Sequence, residues 1–190
     1  MTLPTKLSLL RILLTFVIMA LLFTSGWIAK SAALALFLLA SFTDWLDGHL
    51  ARRWKQTSAL GALLDPIADK VLVLGTFLAF VQLRLIPAWM VLIIALREFL
   101  ITGVRLFVAS RALVLSAAKE GKHKTVSQMV TIVMVLVALI VQELFGEASV
   151  SAATHWIVLG CLWVTMVLTV ISGAAFFWRH RVVLMDAASK

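Results

Sequence analysis

An all-α membrane protein with six spanning helices is the fold this sequence predicts. Three observations predict it. The chain is 63% hydrophobic with a mean hydropathy of +1.07, and only 14% of its residues are charged. Apolar stretches recur six times along its 190 residues, each near the ~20 residues that a helix needs to cross a bilayer. Outside those stretches, the basic residues fall almost entirely on alternate connections and the two terminal segments, as the positive-inside rule expects. The first observation excludes an ordinary soluble domain. The second excludes a barrel, whose strands would alternate polar and apolar residues.

The six stretches run over about 7–29, 31–51, 61–83, 86–110, 124–142 and 153–178, and 1–190 reads as a single transmembrane domain. In the first, Lys6 and Arg11 precede an apolar run that reaches Thr24-Ser25-Gly26, a pattern shared with secretory signals. The run continues to Ala29, so it reads as a span. Six spans put Lys6, Arg11, Arg52, Arg53, Lys55, Arg111, Lys119, Lys122, Lys124, Arg179, Arg181 and Lys190 on one side. Lys30, Arg84, Glu143 and Glu147 lie on the other. Both termini are therefore expected in the cytoplasm. The net charge of +8 suits anionic lipid surfaces and phosphorylated ligands alike. A lone cysteine, Cys161, excludes an internal disulfide and reads as a packing residue.

Four of the nine acidic residues lie within twenty-six positions, Asp44 to Asp69, at the facing ends of the second and third stretches. A carboxylate deep in a membrane helix costs about 2.5–3.5 kcal/mol, so something must neutralise four of them. Residues three and four apart share a helix face. Asp44, Asp47, Gly48 and Ala51 thus form one stripe, and Gly61, Asp65 and Asp69 another. Asp44 is eight residues inside Arg52 and Asp69 eight inside Gly61, so both sit roughly 12 Å below the helix ends. A hairpin through Arg53–Ser58 would set the two pairs face to face.

Four convergent carboxylates supply hard oxygen ligands suited to Mg²⁺, Mn²⁺ or Ca²⁺, and suffice for two metals about 3.5–4 Å apart. Gly48, Ala51 and Gly61 leave the same faces bare for a base or a diphosphate, with Arg52 at the rim to meet phosphate oxygens. On spacing alone, three readings remain open: phosphoryl chemistry, a cation pathway, or structural pairing. A pathway would need polar residues through both leaflets, and the far side offers only scattered charges such as Lys30 and Glu143.

The spacing D-x2-D-G-x2-A-R-x8-G-x3-D-x3-D, complete from Asp44 to Asp69, resembles the signature of the CDP-alcohol phosphatidyltransferases. That resemblance implies a six-helix membrane transferase. It implies two divalent metals, Mg²⁺ or Mn²⁺, held by Asp44, Asp47, Asp65 and Asp69, with Asp69 also the general base. It implies a CDP-linked lipid donor near Gly48, Ala51, Arg52 and Gly61, and a homodimer.

The acceptor must be read elsewhere. Glu98, Thr102 and Arg105 share a face of the fourth stretch, and Arg105 lies about 9 Å inside the end near Arg111. Lys122 and Lys124 open the fifth, where free backbone N–H groups also favour an anion. Together they outline a phosphate pocket. Arg97 and Glu98 are adjacent, so they are expected to pair elsewhere and not with each other. Lys70 points about 100° away from Asp69 and reads equally as counter-charge or catalytic group. His49 lies off the aspartate stripe and reads as a lipid-facing or rim residue.

Arg97-Glu98-Phe99, Arg105 and Gly121-Lys122-His123-Lys124-Thr125-Val126-Ser127-Gln128 look like the bacterial phosphatidylglycerophosphate synthases within that family. So does Pro4-Thr5-Lys6-Leu7-Ser8-Leu9-Leu10-Arg11, although Ser8 stands where threonine is usual and Thr5 where asparagine is frequent. The resemblance covers about residues 4–130. It implies CDP-diacylglycerol as donor, glycerol 3-phosphate as acceptor and a bacterial inner membrane as location. It gives supporting places to Ser8, Arg11, Arg97, Glu98, Thr125 and Gln128. Inositol phosphate, phosphatidylglycerol or a simple alcohol are the alternative acceptors. The last sixty residues carry no motif.

Overall fold

The computed structural model describes the backbone of residues 3–54, 59–110, 121–146 and 152–188, and the side chains of 6–43, 67–108, 124–146 and 156–181. Six helices make up the regular structure of the described residues: α1 Leu3–Phe23, α2 Trp27–Trp54, α3 Ala59–Gln82, α4 Ala88–Ser110, α5 Gly121–Phe145 and α6 Ala152–Ala188.

The protein is apolar on its outside. Ile28 is 68% exposed, Leu13 63% and Phe99 61%, and comparable side chains face outward on every helix. Polar groups instead lie inside: Ser8, Arg11, Thr15, Glu98, Lys124, Gln128, Thr131, Thr165 and Ser172 are buried. Water would not tolerate so much continuous apolar surface, whereas hydrocarbon does. By length and composition three helical windows qualify as spans among the described residues: Lys6–Phe23, Lys124–Phe145 and Trp156–Arg181. Trp27–Thr43 is a shorter apolar helix. On α4 the charges of Arg97, Glu98 and Arg105 interrupt the apolar run.

All six helices contribute to one core, with Ile18, Phe37, Phe77, Ile94, Leu136 and Leu162 among its members. Helix α1 packs most extensively on α3 and α2, α5 packs on α6 and α2, and α4 packs on α6. The α1–α3 seam is tight at Gly75, where a Cβ would lie 2.5 Å from Thr15 Cγ2. Met19 and Phe23 line one cavity with Leu78, Val81 and Gln82. Residue numbers therefore climb together along the seam, and α1 and α3 run parallel.

The two largest departures from the expected helix limits are the end of α1 and the end of α6. The stretch expected over 7–29 breaks at Thr24–Gly26, because Gly26 adopts a left-handed φ of 104° that favours glycine. Lys30, buried on α2, folds back and donates its ammonium to the carbonyls of Leu22 and Thr24 at the end of α1. Those are carbonyls that a helix terminus leaves without intrahelical partners. Glu143 on α5 accepts a 3.1 Å hydrogen bond from the Gly26 amide, tying a third helix to the turn. At the other end, α6 extends to Ala188, ten residues past the limit expected at 178. Helix α5 closes on Gly146, at φ 84°, whose amide bonds to Gln142 O at 2.9 Å, a glycine C-cap.

Candidate active site

Helical backbone runs unbroken through 44–54 in α2 and 59–69 in α3. The i, i+3 spacing of Asp44 and Asp47 and the i, i+4 spacing of Asp65 and Asp69 are thus realised in helix. The side chains of Asp44, Asp47, Gly48, His49, Ala51, Arg52, Gly61, Asp65 and Lys122 lie outside the described residues. Asp69 is described and is half-buried on α3. Among the described residues no three His, Cys, Asp or Glu side chains come together, as follows when Asp69 alone of the four aspartates is within them.

The parallel seam fixes what lies level with Asp69. Counting from the Thr15–Gly75 contact, Asp69 is ~9 Å back along α3, while Arg11 and Ser8 are ~6 and ~10 Å back along α1. Both α1 residues are buried. The structure therefore carries Ser8 and Arg11 to the depth of Asp69 from a helix far away in sequence.

Behind Asp69 lies a buried ionic cluster. Lys70 Nζ on α3 donates to Glu98 Oε2 on α4 at 3.0 Å. Lys124 Nζ on α5 and Arg97 Nη1 both donate to Glu98 Oε1, the latter at 3.1 Å. Arg97 Nη2 continues to Ser172 Oγ on α6 at 3.0 Å, and Ser172 Oγ donates to Thr169 O. Three helices thus meet at one carboxylate, and Arg97 links a fourth to it. Removing a partner from such a buried pair costs about 3–5 kcal/mol.

This corrects the expectation that Arg97 and Glu98 do not pair. Their Cβ atoms do point in different directions, but the arginine stem is long enough to curl back around the helix. It has room because Gly173 faces it: a Cβ there would lie 3.1 Å from Arg97 Cγ. Lys124, expected in a phosphate pocket, is engaged by Glu98. Lys70 turns to Glu98, in keeping with its ~100° divergence from Asp69.

Arg105 sits two turns further along α4, exposed, with its guanidinium carbon 5.9 Å from the centroid of the Phe176 ring. Phe176 in turn lies 4.7 Å from the ring of His180, which is buried. Thr125 is half-buried beside Lys124, and Gln128 is buried one turn beyond it. Ser172, Gly173 and His180 all come from the final sixty residues, where sequence reasoning found nothing. Their one advance signal was polarity and small size within an otherwise apolar run. Cys161 is free and half-buried, and its carbonyl accepts from Thr131 Oγ1 at 3.2 Å.

Comparison with known proteins adds a second line of argument. A family model described as CDP-alcohol phosphatidyltransferase matches residues 1–171. A Bacillus subtilis protein named CDP-diacylglycerol–glycerol-3-phosphate 3-phosphatidyltransferase is 36% identical over 190 aligned residues, covering 94% of each chain. A protein of the same name from Cereibacter sphaeroides is 33% identical, covering 97% of this chain and 98% of its own. An Arabidopsis thaliana protein of that name, numbered 2, is 35% identical over 71% of this chain and 64% of its own.

Proposed function

We propose that this chain, which belongs to the CDP-alcohol phosphatidyltransferase family, transfers the phosphatidyl group of CDP-diacylglycerol to glycerol 3-phosphate. The products are phosphatidylglycerophosphate and CMP. The observation that carries the reading is the complete eight-position signature from Asp44 to Asp69, whose eight positions lie on the helical backbone of α2 and α3. The printed names of relatives matching nearly the whole chain support the choice of acceptor.

The family generally uses divalent metals, and the residues here fit such ions. The four aspartates offer only oxygen donors, which suit Mg²⁺ or Mn²⁺, and we assign two ions to Asp44, Asp47, Asp65 and Asp69. Bound there, the ions would offset the charge developing on the diphosphate. Gly48, Ala51 and Gly61 would leave room for the cytidine and diphosphate, with Arg52 at the rim. Asp69 would accept the proton of the acceptor hydroxyl. The freed oxygen then attacks the phosphorus that carries the lipid, and the bond from that phosphorus to the bridging oxygen breaks, so CMP leaves with the electron pair. Arg105, Lys122 and Lys124 would hold the acceptor's phosphate, with Ser8, Arg11, Arg97, Glu98, Thr125 and Gln128 in support.

The distribution of basic residues supports a cytoplasmic site, with both termini on that face of a bacterial inner membrane. A homodimer completes the reading, tested by the mass of the protein in detergent. The deciding experiment is CMP release by purified protein given CDP-diacylglycerol and a panel of acceptors. Turnover with glycerol 3-phosphate is expected. Turnover with inositol phosphate, phosphatidylglycerol or a simple alcohol instead would move the chain to another branch of its family. Metal transport without CMP release would remove it from enzymes altogether.

A further inference from the structure

Three cations from three helices share one carboxylate: Lys70, Arg97 and Lys124 all donate to Glu98. The four side chains together carry a net +2. Packing alone does not call for this, since a one-to-one pair would satisfy the carboxylate with less charge withdrawn from water. The surplus is also placed. Lys70 follows Asp69 directly on α3, so the cluster begins one residue from the proposed base. Gln128 lies one turn beyond Lys124 on the same face of α5. It is 4% exposed, and among the described residues its Nε2 has no hydrogen-bond partner. A buried donor left unsatisfied calls for an explanation. Surplus positive charge and a spare buried donor side by side suit an anion that binds and leaves.

We propose that Glu98 is a positioning residue for the acceptor's phosphate, and that Lys70 joins Lys124 in binding that phosphate. The inference rests on glycerol 3-phosphate being the acceptor. Glu98 repels phosphate, so it acts by geometry. Lysine is a point charge on a flexible stem. Left alone, the two ammonium groups would separate from each other or turn toward the aspartates. One oxygen of Glu98 holds Lys70 and the other holds Lys124, which fixes their spacing and leaves their remaining N–H donors for phosphate. Arg97, anchored to Ser172, completes the frame from α6.

The test is steady-state CMP release by purified full-length protein, with glycerol 3-phosphate and CDP-diacylglycerol varied in turn. Lys70→Gln should raise the KM for glycerol 3-phosphate tenfold or more, with kcat and the donor KM within threefold. Glu98→Gln should do the same if it folds. Glu98→Asp, which keeps the charge on a shorter stem, should fall between it and wild type. Lys70→Gln keeps Glu98 with two partners, so the test stands even if Glu98→Gln is lost to misfolding. Protection against thermal unfolding by glycerol 3-phosphate, without donor, should weaken in Lys70→Gln in parallel with its KM. If Lys70→Gln changes kcat or the metal requirement while the acceptor KM stays within twofold, the cluster is a counter-charge to the aspartates and the inference is overturned. If wild type uses a different acceptor, the functional reading itself has failed, and that outcome is visible before any variant is made.

Discussion

The tight contact between α1 and α3 at Gly75 offers a direct test of how α1 serves the site. At Gly75 a methyl group would come within 2.5 Å of Thr15 Cγ2, whereas the next neighbour, Met19 Sδ, stands at 3.7 Å. Ordinary carbon contacts are about 3.5–4.0 Å, so Gly75→Ala requires a shift of about 1 Å. Thr15 cannot swing aside freely. Its hydroxyl donates to Arg11 O at 3.0 Å, and a β-branched side chain in a helix has few rotamers. The two helices must separate instead. Overpacking of this kind costs about 1–3 kcal/mol. The separation also moves Ser8 and Arg11 relative to Asp69, and a displacement near 1 Å can cost about 10²-fold in rate.

The assay is CMP release together with the thermal midpoint of the purified protein in detergent. Gly75→Ala should lower both. The second substitution Thr15→Ser removes the offending methyl and keeps the hydroxyl bonded to Arg11 O, so Gly75→Ala with Thr15→Ser should regain most of the loss. Wild-type behaviour of Gly75→Ala would show that the seam is looser than described. Failure of Thr15→Ser to rescue it would show that the loss does not pass through this contact. Either result refutes the reasoning that ties the position of Ser8 and Arg11 relative to Asp69 to this seam.

Activity should require added Mg²⁺ or Mn²⁺, because the acidic quartet offers oxygen ligands only; full turnover in excess EDTA would remove the metal assignment. Asp69→Asn should lower kcat by about 10²–10⁴-fold, the usual contribution of a general base, and a near-normal kcat at saturating metal would exclude that role. Lys55→Cys in a Cys161→Ser background should resist an impermeant thiol reagent in intact cells and react in inverted vesicles, and the reverse pattern would invert the topology. Arg105→Lys should raise the KM for glycerol 3-phosphate far more than that for CDP-diacylglycerol. An ammonium cannot reproduce the two parallel bonds of a guanidinium, and a lost charge-assisted contact of ~1.5–3 kcal/mol is roughly 10–150-fold in kcat/KM.

The sequence revealed much of this fold because a bilayer forces apolar residues outward along each helix, and runs of them are visible without any knowledge of packing. It revealed the acidic stretch because i, i+3 and i, i+4 spacings need only helical geometry. What it concealed is the choice of partner across helices. Glu98 and Lys124 stood out as residues, but nothing local says that they meet, or that Lys70 joins them from a third helix. The treatment of Arg97 and Glu98 as mutually out of reach failed for a related reason. A helical wheel compares Cβ directions, while an arginine ends several bonds further on. Ser172 and Gly173 were silent because a small residue in an apolar run usually reports close packing alone. Thr24-Ser25-Gly26 looked like part of a longer span because hydropathy does not register a turn whose carbonyls are met by a buried lysine.

The two ends of the bundle handle buried charge in opposite ways, and the contrast bears on where chemistry can occur. At the Gly26 turn, Lys30 spends its donors on the carbonyls of Leu22 and Thr24, and Glu143 accepts from a backbone amide. Each charged group there meets uncharged backbone that a helix end leaves exposed, so the arrangement locks α1, α2 and α5 together. Near Asp69 the ion pairs have no such one-to-one closure, since Lys70, Arg97 and Lys124 converge on Glu98 alone. A fixed surplus of charge is expensive in a low-dielectric interior, yet it strengthens attraction for any anion that arrives. Catalysis gains from groups already oriented before the reaction, because they need not reorganise as charge develops. A net-positive cluster held rigid by one carboxylate, one residue from a candidate base, has that property, and the lysine lock at the opposite end does not.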